Sequence, residues 1–395
     1  MRVLLFGTVD EGPGYPRIRA LVRSLELLGA RLERLTLPPG WRDRGRLFQG
    51  PLKLAAAAGK VLAARRRLLK EGRELPPPDL VLVGYPAYGT ADLAKRLWPG
   101  VPVLVDLFLS LYDTVSLDRR LWPERGVGAR FLQAIDRRTC AAGDLVLLDT
   151  EEMCRFAAEL TGLPRERFDW IPCGDPDAPE WPEPYLPPRP GEALRLFFAG
   201  TGPPLQGVGT ILEALVTCKA PVELTLVGGG DGARRFRRGY RGGRIRFVED
   251  WLDRETLGRE IRESHLSLGI FGTSGKADRV VPLKVYHGLA EGRPVLTGDS
   301  RAVRRLLRPE EEVFLVPRGD PRALAARLEE LRNAPGRLEE AARKGWKAFR
   351  DRFSLPALAA RWRSILEGLG IEAPGGGAEV QRPGKREESP LEAVR

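Results

Sequence analysis

The feature that most constrains this chain is an alternation that occurs twice. Short apolar runs alternate with amphipathic helical patterns in two series, and a proline-rich stretch separates the series. The first series opens with the apolar run 3–6. A helical pattern follows, carrying Ile18, Leu21, Val22, Leu25 and Leu28 and stopped by Gly29. The runs 80–83, 103–105 and 145–148 are apolar throughout, as strands of a parallel sheet covered on both faces must be. Helices between such strands imply right-handed βαβ crossovers. The second series has strand candidates at 194–198, 222–227, 245–248, 266–271, 294–297 and 313–316. The spacing predicts an α/β protein of two Rossmann-like domains facing across a cleft, with ligand-binding loops at the carboxyl ends of the strands.

Between the series, Pro176, Pro179, Pro182, Pro184, Pro187, Pro188 and Pro190 deny the backbone a regular ladder, and the stretch reads as a linker. The expected organisation is an N-terminal domain at 1–174, a linker at 175–193 and a C-terminal domain at 194–350. A helix at 351–370 and a disordered tail at 371–395 complete it; the tail combines a glycine triplet with aperiodic charge.

Composition removes several chemistries. The chain has only two histidines, His265 and His287, which argues against multi-histidine metal sites and Ser-His-Asp catalysis; no metal site is expected. His265 opens a strand and reads as structural. The four cysteines form no Cys-x-x-Cys pair and read as reduced, intracellular thiols. No signal-peptide pattern is present, and no apolar run approaches the roughly 20 residues that cross a bilayer. The expected location is cytoplasmic. The net charge of +11 favours an anionic partner.

The loops narrow that choice. Gly7, Gly12 and Gly14 follow the first strand without GxGxxG spacing, which disfavours a dinucleotide cofactor. In the second series, Gly200, Gly202 and Gly207 precede a helical pattern that starts near Thr210, and a second strand ends in Gly228-Gly229-Gly230. Free N–H groups at such helix starts suit a phosphate. Lys276, Arg279 and Lys284 cluster at a further loop-to-helix entrance, where cations complete a diphosphate pocket. The run from Arg234 to Arg241 interleaves arginine with aromatic residues, but a solvated face is the better reading, and nucleic acid is disfavoured.

The order of Gly200/Gly207, Gly228–Gly230 and the block Pro282-Leu283-Lys284…Gly292-Arg293-Pro294 resembles the donor domain of family 4 glycosyltransferases, which have the GT-B fold. In the first domain the segments 105–114, 142–150 and 171–174 resemble one bacterial branch of that family, so the likeness covers residues 1–369. It implies transfer of a sugar from a nucleotide-sugar donor to a glycan or lipid-linked acceptor, with retention at the anomeric carbon, no metal and no cofactor. The implied donor contacts are Gly202, Gln206, Gly207, Gly228, Arg279, Pro282, Lys284 and His287. The implied acceptor side holds Gly12, Gly14 and Tyr112, with Asp106 and Asp113 as catalytic candidates.

Arg279 and His287 stand where much of the family carries a Glu-x7-Glu pair. By this likeness His287 faces the donor ribose, and a glutamate at 287 should preserve or raise nucleotide affinity. The replaced pair also motivates the alternative of a non-catalytic nucleotide-sugar or glycan-binding GT-B protein. Finally, residues 52–71 read as a basic amphipathic helix suited to an anionic membrane surface, which would make the protein peripheral at the inner face. Against this, Ala55 to Ala58 suit close packing in an ordinary surface helix.

Overall fold

In the computed structural model, residues 1–12, 15–38 and 51–374 are described, together with the backbone but not the side chains of 51–55 and 57. Gly14 and the tail from 375 lie outside the described residues. The chain forms two compact units: Met1–Cys173 together with the stretch beginning at Leu358, and Gly174–Ala357.

The first unit is a parallel sheet in the order β2-β1-β3-β4-β5-β6. Its strands are β1 (Arg2–Thr8), β2 (Arg31–Leu37), β3 (Leu80–Val83), β4 (Val103–Asp106), β5 (Leu145–Leu148) and β6 (Phe168–Trp170). Every residue of β3, β4 and β5 is buried, as their apolar composition requires. The sequence pattern missed β2 and β6. The first is an edge strand whose Arg31, Glu33 and Arg34 break the apolar run, and the second has only three residues.

The crossover helices are α1 (Pro16–Leu27), α2 (Pro51–Gly72), α3 (Ala91–Leu97), α4 (Val127–Ala141) and α5 (Glu151–Thr161). Phe6 and Trp98 meet edge-on at 5.6 Å in the core between the sheet and α3. The described chain ends by returning to this unit. Trp362 is fully buried and donates its indole N–H to the Leu21 carbonyl at 3.1 Å.

The second unit is a parallel sheet in the order β12-β11-β10-β7-β8-β9. Its strands are β7 (Leu194–Gly200), β8 (Val222–Gly228), β9 (Ile245–Val248), β10 (Leu266–Leu268), β11 (Val295–Gly298) and β12 (Phe314–Val316). The helices continue as α6 (Val208–Thr217), α7 (Gly230–Gly239), α8 (Arg254–Glu263), α9 (Gly275–Arg279), α10 (Leu283–Ala290), α11 (Arg301–Leu306), α12 (Pro321–Arg332) and α13 (Pro335–Arg352). The last described helix, α14 (Leu355–Gly368), carries Trp362.

The stretch 175–193, read as a linker, packs against this second unit. Tyr185 is buried and donates its hydroxyl to the His265 carbonyl at 3.0 Å, and Trp181 lies 5.4 Å from Trp346. Its prolines stop a ladder from forming, while its aromatic side chains still bury apolar area. His265 is structural: its Nδ1 accepts the Arg195 amide at 3.0 Å, and burial pushes the imidazole down to about 4.

Candidate functional site

In the second unit, the loops after β7, β8 and β10 converge at the carboxyl edge of the sheet. The register pairs Gly200 with Gly228, and the Gly229 amide donates to the Gly200 carbonyl at 2.6 Å. The amides of Phe271 and Gly272 donate to the carbonyls of Gln206 and Leu205 at 3.1 and 3.0 Å.

Glycine is required at these contacts. Gly202 has φ +79°, and a Cβ there would lie 2.3 Å from the Gly229 carbonyl oxygen. Gly207 has φ +63°, and a Cβ would lie 2.5 Å from the Gly272 nitrogen. The glycines noticed in the sequence therefore let one loop's backbone touch the next. Gln206 works inside this assembly, its Oε1 accepting the Gly202 amide at 2.9 Å.

Beside these loops stands the start of α10. Pro282 occupies the N-cap position, and no side chain caps the helix. Lys284, in the first turn, has its ammonium 4.8 Å from the centre of the Phe198 ring. No carboxylate partners it among the described residues, and burial pushes its ammonium down to about 7. A desolvated cation at an uncapped helix start is a place for an anion. Arg279 closes α9; its guanidinium lies against Gly275, where a Cβ would sit 3.0 Å from Nη1.

His287 follows Lys284 on the same helix, with Nε2 3.9 Å from Asp175 Oδ2. Asp175 is buried and also receives Arg254 at 2.6 Å and the Asp177 amide at 3.1 Å. Arg254 continues to Glu291 at 2.9 Å, which Arg262 holds at 2.8 Å. Burial alone would raise the Asp175 carboxyl, but His287 and Arg254 outweigh it and hold it below its usual range. Burial lowers His287, with Asp175 opposing. The sequence reading missed Asp175 and Glu291, because only the fold joins the start of this unit to α10 and α8.

In the first unit, the two catalytic candidates are enclosed. Asp106, at the end of β4, is fully buried, with Oδ1 2.9 Å from both Nε and Nη2 of Arg17. Arg17 also donates to the carbonyls of Ile171 at 2.7 Å and Leu148 at 2.8 Å. The pair ties α1 to the ends of β4 and β5 and to the chain just beyond β6. Asp106, read from the sequence as a catalytic candidate, is thus enclosed as the counterion of Arg17. The sequence signal was Arg17 itself, a charge four residues before Leu21 on the apolar face of α1. Asp113 is likewise buried, its amide donating to Ser110 Oγ at 3.1 Å, and it offers no carboxylate to solvent.

The carboxylate that organises this loop is Asp136 on α4. It accepts Ser110 Oγ at 2.7 Å and the amides of Leu111 and Tyr112 at 2.9 and 3.0 Å, while burial pushes it up to about 6. Tyr112 is half-buried and donates its hydroxyl to the Glu124 carbonyl at 3.0 Å. The Gly12 amide donates to Asp10 Oδ1 at 3.0 Å, shaping the loop after β1.

Comparison with known proteins agrees with this architecture. Residues 1–174 match the family described as Glycosyl transferase 4-like domain, and residues 193–333 match Glycosyl transferases group 1. The chain belongs to the family 4 glycosyltransferases. A 144-residue segment of this glycosyltransferase is 29% identical to the phosphatidyl-myo-inositol mannosyltransferase of Mycobacterium leprae, covering 36% of the chain and 37% of that enzyme. The match therefore spans little more than a third of its curated relative.

Among solved structures, the glycosyltransferase superposes on Anabaena HepE in complex with UDP and glucose with a TM-score of 0.63 at 15% identity, covering 93% of this chain and all of that one. Sucrose-phosphate synthase from Thermosynechococcus elongatus gives 0.66 at 17% identity, covering 94% and 99%. These likenesses establish the GT-B fold. Among the described residues, no helix is long and apolar enough to cross a membrane, and no cluster of His, Cys, Asp and Glu is placed to hold a metal.

Proposed function

We propose that this glycosyltransferase moves a hexose from a nucleotide-sugar donor to a glycan or lipid-linked acceptor, with retention and without a metal, working in the cytoplasm at a membrane face. The observation that carries the reading is Lys284, a desolvated cation with no carboxylate partner among the described residues, at the uncapped start of α10. The donor diphosphate completes it. HepE, solved with UDP and glucose, and the mycobacterial mannosyltransferase support this class of donor.

In this reading the diphosphate lies over the loops held by Gly202, Gln206, Gly207 and Gly228, against Lys284 and Arg279. Pro282 leaves the first amides of α10 open to it. His287, oriented by Asp175, hydrogen-bonds the ribose. Trp251, 64% exposed and three residues past Val248, which ends β9 beside Val227, stacks on the base.

Departure of the nucleotide diphosphate is the difficult step. Fixed cations and helix N–H groups stabilise the charge that grows on it. The departing phosphate takes the acceptor's proton, so the enclosure of Asp106 and Asp113 is compatible with turnover. Gly12 and Tyr112 line the acceptor side.

The replaced glutamate pair favours one second reading, a protein that binds the nucleotide sugar without transferring it. Calorimetry with UDP and GDP, followed by assays of donor hydrolysis, tests both. Binding with slow hydrolysis supports transfer, and binding without turnover supports the second reading. Failure to bind either nucleotide refutes the site.

A further inference from the structure

The helix that the sequence offers to a membrane, α2, packs part of its described apolar surface inward and leaves Leu62 exposed. Leu68 is fully buried, Val61 packs against Gly89, and Arg65 pairs with Asp92 on α3 at 2.5 Å. Among the described residues of the first unit, three exposed apolar side chains lie close together in sequence elsewhere. Leu121, Val127 and Phe131 are 39%, 86% and 48% exposed within eleven residues. Single exposed apolar residues are ordinary on a protein surface; a cluster at the mouth of one loop is not.

This cluster is held in place. Leu121 and Arg119 donate their amides to the carbonyls of Val115 and Thr114 at 2.9 and 3.1 Å. Tyr112 grips the Glu124 carbonyl. Trp122 packs on the first turn of α4, where a Cβ on Gly128 would lie 2.9 Å from its ring. Leu121 is thereby fixed beside the start of α4, and Val127 and Phe131, four residues apart, share one helix face.

The charges around the cluster are just as distinctive. Arg119, Arg120, Arg125 and Arg130 are interspersed with it along the chain, and none has a carboxylate partner among the described residues. Elsewhere this arginine-rich surface is extensively paired, as at Arg67–Glu71, Arg155–Glu151 and Arg304–Asp299. Only Glu124 and the buried Asp118 oppose them in the segment. Exposed apolar groups interleaved in sequence with guanidinium groups that lack carboxylate partners among the described residues complement a surface that offers acyl chains beneath anionic headgroups. The segment follows β4 and leads into the start of α4, so it lies at the carboxyl edge of the sheet, the edge that carries the acceptor-side loops.

We infer that residues 119–131 dock this unit on an anionic bilayer, with Val127 and Phe131 entering the headgroup boundary and the four arginines engaging lipid phosphates. This deepens the acceptor side of the function proposed above, since it brings a lipid-linked acceptor to the loops at that edge.

The test is co-sedimentation of the full chain with vesicles of phosphatidylglycerol and phosphatidylcholine in equal parts, and with vesicles of phosphatidylcholine alone. The expected result is salt-sensitive binding to the acidic vesicles only. Val127→Ser/Phe131→Ser and Arg120→Glu/Arg125→Glu should each weaken it at least about tenfold, while Leu62→Ser on α2 leaves it unchanged. Hydrolysis of the donor in solution should be the same in Val127→Ser/Phe131→Ser as in the parent, which separates failure of docking from failure of the donor site.

Negligible binding to acidic vesicles, equal binding to both vesicle types, or parental binding by the two double variants would overturn the inference. So would capture by a protein partner that the same substitutions abolish while vesicle binding persists.

Discussion

Lys284 makes nucleotide binding pH-dependent in a direction that the structure fixes. Only the protonated ammonium attracts the diphosphate, and burial lowers its pKa to about 7 in the free protein. Apparent affinity scales with the protonated fraction, which is about one half at pH 7, one tenth at pH 8 and one hundredth at pH 9. Affinity should therefore fall about fivefold from pH 7 to 8 and about tenfold from pH 8 to 9, or roughly 1.4 kcal/mol over that last unit. The terminal phosphate ionises near pH 6, so across this range its own charge does not oppose the trend.

Calorimetry of UDP or GDP in buffers of different ionisation enthalpy should show about one proton taken up per nucleotide at pH 8 to 9, by the same linkage. Lys284→Arg should flatten the profile, because guanidinium stays charged. Lys284→Ala should flatten it and also lose roughly 1.5–3 kcal/mol of binding. The ligand-free unit should gain stability as pH rises from about 7, since there the unfolded chain holds the extra proton. A flat or rising affinity in the parent, or an unchanged slope in Lys284→Ala, would refute the assignment of Lys284 as the diphosphate cation.

His287→Glu, which the family motif alone expects to be tolerated, should instead lower the melting temperature. A carboxylate about 4 Å from Asp175 meets a repulsion of up to about 4 kcal/mol that Arg254 only partly offsets. Thermal unfolding reads this effect, and His287→Gln should be milder. Asp106→Asn should destabilise by about 3–5 kcal/mol in urea unfolding, since it strands a buried guanidinium. Gly202→Ala should abolish nucleotide binding measured by calorimetry, because its Cβ has no room beside Gly229. Trp251→Ala should weaken UDP or GDP by about 0.5–1.5 kcal/mol while leaving inorganic pyrophosphate unchanged, the difference being the stacked base.

The strands of both sheets could be read from sequence wherever burial on both faces makes them continuously apolar, as in β3, β4 and β5. The edge strand β2 was hidden because its exposed side carries arginine and glutamate. At the site, the glycine loops and Lys284 were visible because each is a local event, a strand end or a helix start. The partners of His287 and Asp106 were not. Asp175 lies 112 residues before His287 in the chain, and Arg17 lies 89 residues before Asp106. Such pairings become evident only once the sheets are assembled. The aspartates at 106 and 113 drew attention because strand ends often carry chemistry. Their burial is decided by α1 and α4, which no local pattern around those aspartates announces.

The return of α14 to the first unit makes the second unit, in chain order, an insertion within the first. During synthesis the ribosome must finish every strand of the inserted unit before Trp362 emerges to fill its place beside Leu21. Until then α1 carries an open apolar seat, and the first unit waits as an incomplete nascent domain. A chain stopped after Ala357 would hold both sheets and still leave that seat empty, with a deficit of about 3–5 kcal/mol on the scale of a lost core tryptophan. Quality-control proteases that sample exposed core surface would thus distinguish finished from unfinished chains at the seat of Trp362.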